Sequence, residues 1–290
     1  IAARDDHTVR FTETHLPEES AHIVVDGGHT FIMRRQEVHA RKMRIIIDGV
    51  FNHVGVTNPA FQHARKHGPS SPYADWFIIK TWDDPATPQD EFDYQGWYGV
   101  KDLPEVKEVG DDLAAGPKQF FHAVVKRWMD PNNDGDPSDG VDGWRLDVSE
   151  MVPQGFWRQF RQWVREVNPN AYIAGEYWWE DFRNNKIFNA APVLQGDMFD
   201  AVMNYRFADG VLKFFVDTQN AYTPAQFAAH LQQIYDDYPR DNNFVLMNLN
   251  QRNTTVQAAP GVKIDENYLA NEGITISESQ AVLASLLPSR

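Results

Sequence analysis

Along this chain, short unbroken apolar runs alternate with stretches whose apolar residues recur every three or four positions. The first run, R-I-I-I-D-G-V at residues 44–50, is bounded by Gly49. Continuous apolar character over so few residues predicts a strand buried on both faces, as in a parallel sheet. Residues 30–42 before it read as a helix. A second strand is predicted over 143–148, in G-W-R-L-D-V, with a helix over 117–129 leading into it. Phe156, Phe160, Trp163, Val164 and Val167 then fall at i, i+4, i+7, i+8 and i+11. They mark one face of a helix that Pro153 opens and Asn168-Pro169 stops. Further strands are predicted over 171–175, 199–204 and 243–249. Between the last two, a helix starts at Thr223-Pro224 with Thr223 as N-cap, carries Phe227, Leu231, Ile234 and Tyr238, and ends at Pro239.

Apolar strands alternating with amphipathic helices predict an α/β protein with a parallel sheet. Residues 55–115 break the rhythm with Pro, Gly and Trp and little periodicity. That is too long for a plain loop, so they read as an inserted, loop-rich subdomain, leaving 1–54 and 116–290 as the main domain. Polar residues gather where strands end: Asp48, Asp147, Glu176 and Asn204. Barrels and doubly wound sheets both place their chemistry there. No Gly-rich phosphate loop follows the first strand, which disfavours a nucleotide site.

The net charge of −14 carries no basic stripe and argues against a nucleic-acid partner. No apolar run approaches the ~18 residues of a bilayer span, so no membrane partner is expected. The N-terminal I-A-A-R-D-D is not a signal peptide, and one could have been removed. A soluble chain is expected, with its compartment and oligomeric state left open. Cysteine is absent, which excludes disulfides, thiolate metal sites and a cysteine nucleophile. Nine tryptophans suit either a large aromatic core or stacking platforms for sugar rings.

Asp147 and Glu176 end successive predicted strands. Neighbouring strands lie about 4.8 Å apart, so two such carboxyl groups can approach the ~5–5.5 Å separation of a retaining glycosidase pair. Arg145 points the same way as Asp147 and is placed to keep it ionised. A purely structural Arg–Asp pair fits the same pattern.

D-G-V-F-N-H (residues 48–53), D-G-W-R-L-D-V (142–148) and G-E-Y-W (175–178) resemble, in order and spacing, three signature regions of the α-amylase superfamily, glycoside hydrolase family 13. D-L-P-E-V (102–106) is similar to the short motif of that family's inserted domain. F-D-A-V-M-N-Y (199–205) is similar to its sixth barrel strand in cyclomaltodextrinases and neopullulanases. The resemblance covers roughly residues 33–249. It implies a (β/α)8 TIM-barrel-type catalytic domain, with the inserted subdomain after the third barrel strand, that acts on maltodextrins, cyclodextrins or starch-like glucans. By the same resemblance Asp147 is the nucleophile, Glu176 the general acid/base and Arg145 the residue orienting Asp147. It makes His53 a sugar-hydroxyl ligand, Asp48 a support residue behind it, and Asn52 a structural-calcium ligand. Trp178 and Trp179 line acceptor subsites by stacking, or pack on the barrel rim.

The chain departs from the family in two places. The family's third carboxylate follows the seventh strand in a motif ending His-Asp, where this chain reads N-L-N-Q-R-N-T-T (248–255). Loss of such a preorganised group typically costs ~10²–10³ in rate. In addition, two leading strands, an eighth strand and a terminal β-domain are not recognisable. The chain is therefore expected to be a fragment, a divergent member or a sequence altered at its ends. Hydrolysis, transglycosylation and glucan binding without catalysis all stay open.

Two further motifs bear on metal binding. D-P-N-N-D-G-D-P-S-D-G (130–140) places Asp130, Asn132, Asp134 and Asp136 at positions 1, 3, 5 and 7 of a calcium-loop pattern, with Gly135 at position 6. Its twelfth position is Val141 rather than Glu, so calcium competes with a solvated turn as the explanation. H-A-R-K-H (63–67) lacks the Glu of a zinc hydrolase and reads as a polar helix. No Gly-x-Ser-x-Gly elbow is present, which disfavours a serine hydrolase.

Overall fold

The computed structural model describes residues 2–3, 24–25, 35–40, 44–181 and 183–238, all within one compact unit, residues 1–245. Its centre is a four-stranded parallel sheet of β1 (Ile46–Gly49), β2 (Gly143–Leu146), β3 (Tyr172–Gly175) and β4 (Ala201–Val202), ordered in space as in the chain. The register sets Asp48 beside Arg145, and Arg145 beside Ala174. Chain order and spatial order agree throughout, so the described sheet has no reversal of strand order of the kind that marks a doubly wound fold.

The helices are α1 (Arg35–Ala40), α2 (Pro59–His67), α3 (Ala115–Met129), α4 (Gln154–Val167), α5 (Tyr205–Phe215) and α6 (Pro224–Asp237). The stripe of α4 buries Phe156, Phe160 and Val164 as its spacing predicts, and also Trp157, which that spacing did not single out. Trp144 of β2 packs on Phe51 and Phe160, while Arg145 and Asp147 alternate to the other side of the sheet. In α6, Thr223 and Gln226 form a reciprocal capping box, and Phe227 and Ile234 are buried.

Several expectations are corrected. The strand predicted over 143–148 ends at Leu146, because Val148 adopts the left-handed conformation (φ 39°, ψ 44°) and starts a 3₁₀ turn, Ser149–Met151. The strand predicted over 199–204 shortens to Ala201–Val202, because Asn204 caps α5 by accepting from Phe207 N. Helix α5 was not foreseen at all. The strand expected over 243–249 and the N-L-N-Q-R-N-T-T stretch lie outside the described residues. Residues 55–115 hold α2, the antiparallel pairs Ile79–Thr81/Asp93–Tyr94 and Glu108–Val109/Asp112–Leu113, and a small core of Phe61, Ala64, Phe77 and Tyr94. Val106 and Leu113 from the same segment join the main core.

Candidate active site

At the C-terminal edge of the sheet one guanidinium gathers three carboxylates. Arg145 Nη1 donates to Asp48 Oδ1 at 2.8 Å and to Asp147 Oδ1 at 2.5 Å, and its Nη2 lies 2.8 Å from Glu176 Oε2. Burial works against the charge of Arg145, but Asp48, Glu176 and Asp147 outweigh it and push its pKa up, so the guanidinium stays charged. Asp48 is more than half exposed, and Glu176 is buried.

Local backbone explains how Glu176 is held. The left-handed turn at Val148, costly for a β-branched residue, aims the Val148 N–H at Glu176 Oε2 (3.0 Å). Ser149 clamps the Glu176 carbonyl twice, through its N–H (3.1 Å) and its hydroxyl (2.6 Å). Trp157 Nε1 donates to Ser149 O at 2.8 Å and ties this turn to the core. Gly175 permits the close approach: a Cβ there would lie 2.8 Å from the Phe199 ring and 3.0 Å from Ser149 Oγ.

Tyr205, the first residue of α5, donates its hydroxyl to Glu176 Oε1 at 2.6 Å. Burial and the charge of Glu176 push the Tyr205 phenol far up, so it remains a donor at any working pH. Trp178 stacks on the Tyr205 ring (centroids 4.4 Å apart, 7° between planes) and on Trp179 (5.6 Å, 22°). The two tryptophans thus continue an aromatic wall beside Glu176. His53 is buried, lies 3.2 Å from Asn52 Oδ1, and stacks on Trp97 at 5.2 Å. Burial lowers the His53 pKa and Asp147 opposes it, which places His53 near that carboxylate.

The structure therefore brings together Asp48, His53, Arg145, Asp147 and Glu176, with Trp178 and Trp179 alongside. Tyr205, Trp97 and Glu150 were missed. The signal for Tyr205 was the Asn204 cap ahead of Phe207, Val211 and Phe214, a helical spacing. Trp97 and Glu150 sit in turns without periodicity and left no comparable signal.

The metal expectation divides in two. Asn52 follows the C-terminal end of β1 and donates through Nδ2 to Met151 O at 3.2 Å. Asp130, Asn132, Asp134 and Asp136 lie in the loop that leads into the N-terminal end of β2. A strand of four residues separates these ends by about 10 Å, so Asn52 and the loop do not share one ion. Within the loop the side chains cap their own backbone. Asp130 accepts from Asp134 N (3.1 Å) and Gly135 N (2.9 Å), Asn132 from Asp134 N (3.0 Å), Asp134 from Asp136 N (2.8 Å) and Asp136 from Ser138 N (2.9 Å). Among the described residues no three His, Asp or Glu side chains converge to hold a metal. His63 and His67 lie on α2 as expected, and His63 is bonded to Ser71 Oγ at 2.8 Å.

Comparison with known proteins completes the picture. Residues 31–257 match the alpha-amylase family model, described as the alpha amylase catalytic domain. The chain belongs to the alpha-amylase family. It is 33% identical over 211 residues to a cyclomaltodextrinase of Geobacillus thermopakistaniensis, a match covering 73% of this chain and 32% of that protein. It is 36% identical over 187 residues to neopullulanase 2 of Thermoactinomyces vulgaris, covering 64% of this chain and 28% of that protein. Among solved structures it resembles the cyclic alpha-maltosyl-(1→6)-maltose hydrolase of Arthrobacter globiformis in complex with that sugar. The TM-score is 0.59 at 28% identity, covering 73% of this chain and 42% of that one. The chain spans about a third of the length of the curated relatives it matches. Among the described residues, no helix is long and apolar enough to cross a membrane.

Proposed function

We propose that this chain forms part of a (β/α)8-barrel glycosidase that hydrolyses α-glucosidic bonds of maltodextrins, cyclodextrins or related glucans with retention. The observation carrying this reading is the single Arg145 guanidinium that joins Asp147 and Glu176. Two carboxylates on one guanidinium match the ~5–5.5 Å spacing of a retaining pair better than the ~6.5–9.5 Å of an inverting one. In the first step Glu176 gives its proton to the glycosidic oxygen as the C1–O bond breaks, and an Asp147 oxygen bonds to C1. In the second, Glu176 takes a proton from water as the water oxygen attacks C1 and releases Asp147. Arg145 orients Asp147, while His53 and Asp48 frame the sugar. Trp178 and Trp179 form the aromatic wall on the acceptor side.

Incubation with maltoheptaose, β-cyclodextrin and pullulan, followed by NMR of the newly formed anomeric centre, tests this reading. Release of α-configured product is expected, and β-configured product would overturn retention. The N-L-N-Q-R-N-T-T sequence, in place of a His-Asp motif, supports a second reading of glucan binding without cleavage. Saturable maltoheptaose binding with no product distinguishes it. Calcium at the Asp130–Asp136 loop is proposed on the density of oxygen donors alone and has no part in the chemistry. Melting curves with calcium and with EDTA decide it, and coincident curves would exclude it.

A further inference from the structure

A fourth carboxylate lies beside Asp147 and Glu176. It is Glu150, in the middle of the Ser149–Met151 turn whose first residue clamps Glu176. The Nη atoms of Arg145 are committed to Asp48, Asp147 and Glu176. Glu150 Oε2 is closed to solvent and has no hydrogen-bond partner. The titratable groups facing Glu150 offer it no positive charge: Asp147 after β2, Glu176 and Tyr177 after β3, and Tyr205 on α5. Two backbone N–H groups, its own and that of Trp178, favour the ionised form of Glu150 but do not offset its burial, so with Oε2 unpartnered the neutral acid is the form that suits this place.

We propose that Glu150 stores a proton beside Asp147 and Glu176 and, as a positioning residue for Glu176, sets the alkaline limit of turnover. This rests on Glu176 being the acid/base. In the structure Glu176 is bonded as an anion, with donors from Val148 N, Tyr205 Oη and Arg145. A general acid needs a proton, and Glu150 is the neighbouring carboxyl that holds one. Burial first, and then the charges of Glu176 and Asp147, push Glu150 up to about 7. Two interacting carboxyls titrate as a pair. Glu150 therefore keeps a proton beside Glu176 to neutral pH. The proton that Glu176 gives to the glycosidic oxygen in the first step is restored from water in the second, so both carboxyls end each cycle as they began.

The test is Glu150→Gln, whose amide matches the protonated acid in shape, measured two ways on the full chain. Infrared difference spectra at pH 6 should show a carboxylic-acid carbonyl band in wild type that the variant lacks. The alkaline limb of kcat/KM on maltoheptaose should move to lower pH by about one unit in the variant. Glu150→Asp should return the limb toward wild type. A merely structural role would lower Tm and kcat without moving the limb. Absence of the band overturns the stored proton, and a band with an unmoved limb overturns the link to Glu176. If wild type cleaves no α-glucan, the proposed function fails instead, and the infrared band still decides where the proton resides.

Discussion

Tyr205 and Glu176 stand 29 residues apart, on α5 and just after β3, and are joined by a 2.6 Å hydrogen bond from the phenol to Oε1. With Val148 N–H on the other oxygen, this bond leaves the Glu176 carboxyl a single orientation. The same tyrosine ring carries Trp178 on its face, so one residue orients the acid/base and supports the adjoining aromatic wall.

Tyr205→Phe keeps the ring and its stack but deletes the donor. A hydrogen bond to a charged group is worth ~1.5–3 kcal/mol, so kcat should fall about ten- to a hundredfold. Steady-state kinetics on maltoheptaose should show KM little changed, because the bond acts on the reacting group rather than on the sugar.

Asp147→Asn removes the nucleophile while leaving Arg145 its contacts with Asp48 and Glu176. Turnover should be abolished with the fold intact. Product analysis and far-UV circular dichroism check both halves, and unchanged activity would rule the mechanism out.

Asp200 is a carboxylate with a structural task. It accepts from Arg161 (2.8 Å) and Arg165 (2.6 Å) on α4 and from Ile173 N (2.9 Å) on β3. Asp200→Ala takes the counter-charge from two guanidinium groups, which keep their bonds to the Met198, Pro169 and Ala171 carbonyls, and removes the acceptor of Ile173 N, so it should destabilise the fold by about 3 kcal/mol. Denaturant titration measures this, and the pH profile of turnover should not move.

Glu150 also makes stability depend on pH. Its pKa is raised in the fold, from 4.5 to about 7. The folded chain therefore binds this proton more tightly than the unfolded one. The associated stability is fully present below about pH 4.5 and is lost as pH rises through about 7, a total of about 3 kcal/mol. Gln cannot ionise, so the Tm of Glu150→Gln should match wild type at pH 4 and exceed it increasingly up to pH 8. Parallel melting curves across that range would contradict the raised value.

The strands at 46–49 and 143–146, the stripe of α4 and the capping box of α6 were all legible in the sequence, because each depends on residues within one or two turns of chain. Asp147, Glu176 and Arg145 were legible for a related reason, since strand ends are where a parallel sheet presents its polar groups. Tertiary structure alone decided the rest. Val148 turns left-handed because the chain must leave β2 and deliver its N–H to a carboxylate on the neighbouring strand, which no local propensity of valine favours. Trp157 is buried by a bond to Ser149, and Asn204 ends a strand early in order to cap a helix. Glu150 is an ordinary acidic residue in sequence. Its raised pKa comes from burial beside the charges of Glu176 and Asp147, a setting that exists only once β2 and β3 lie side by side.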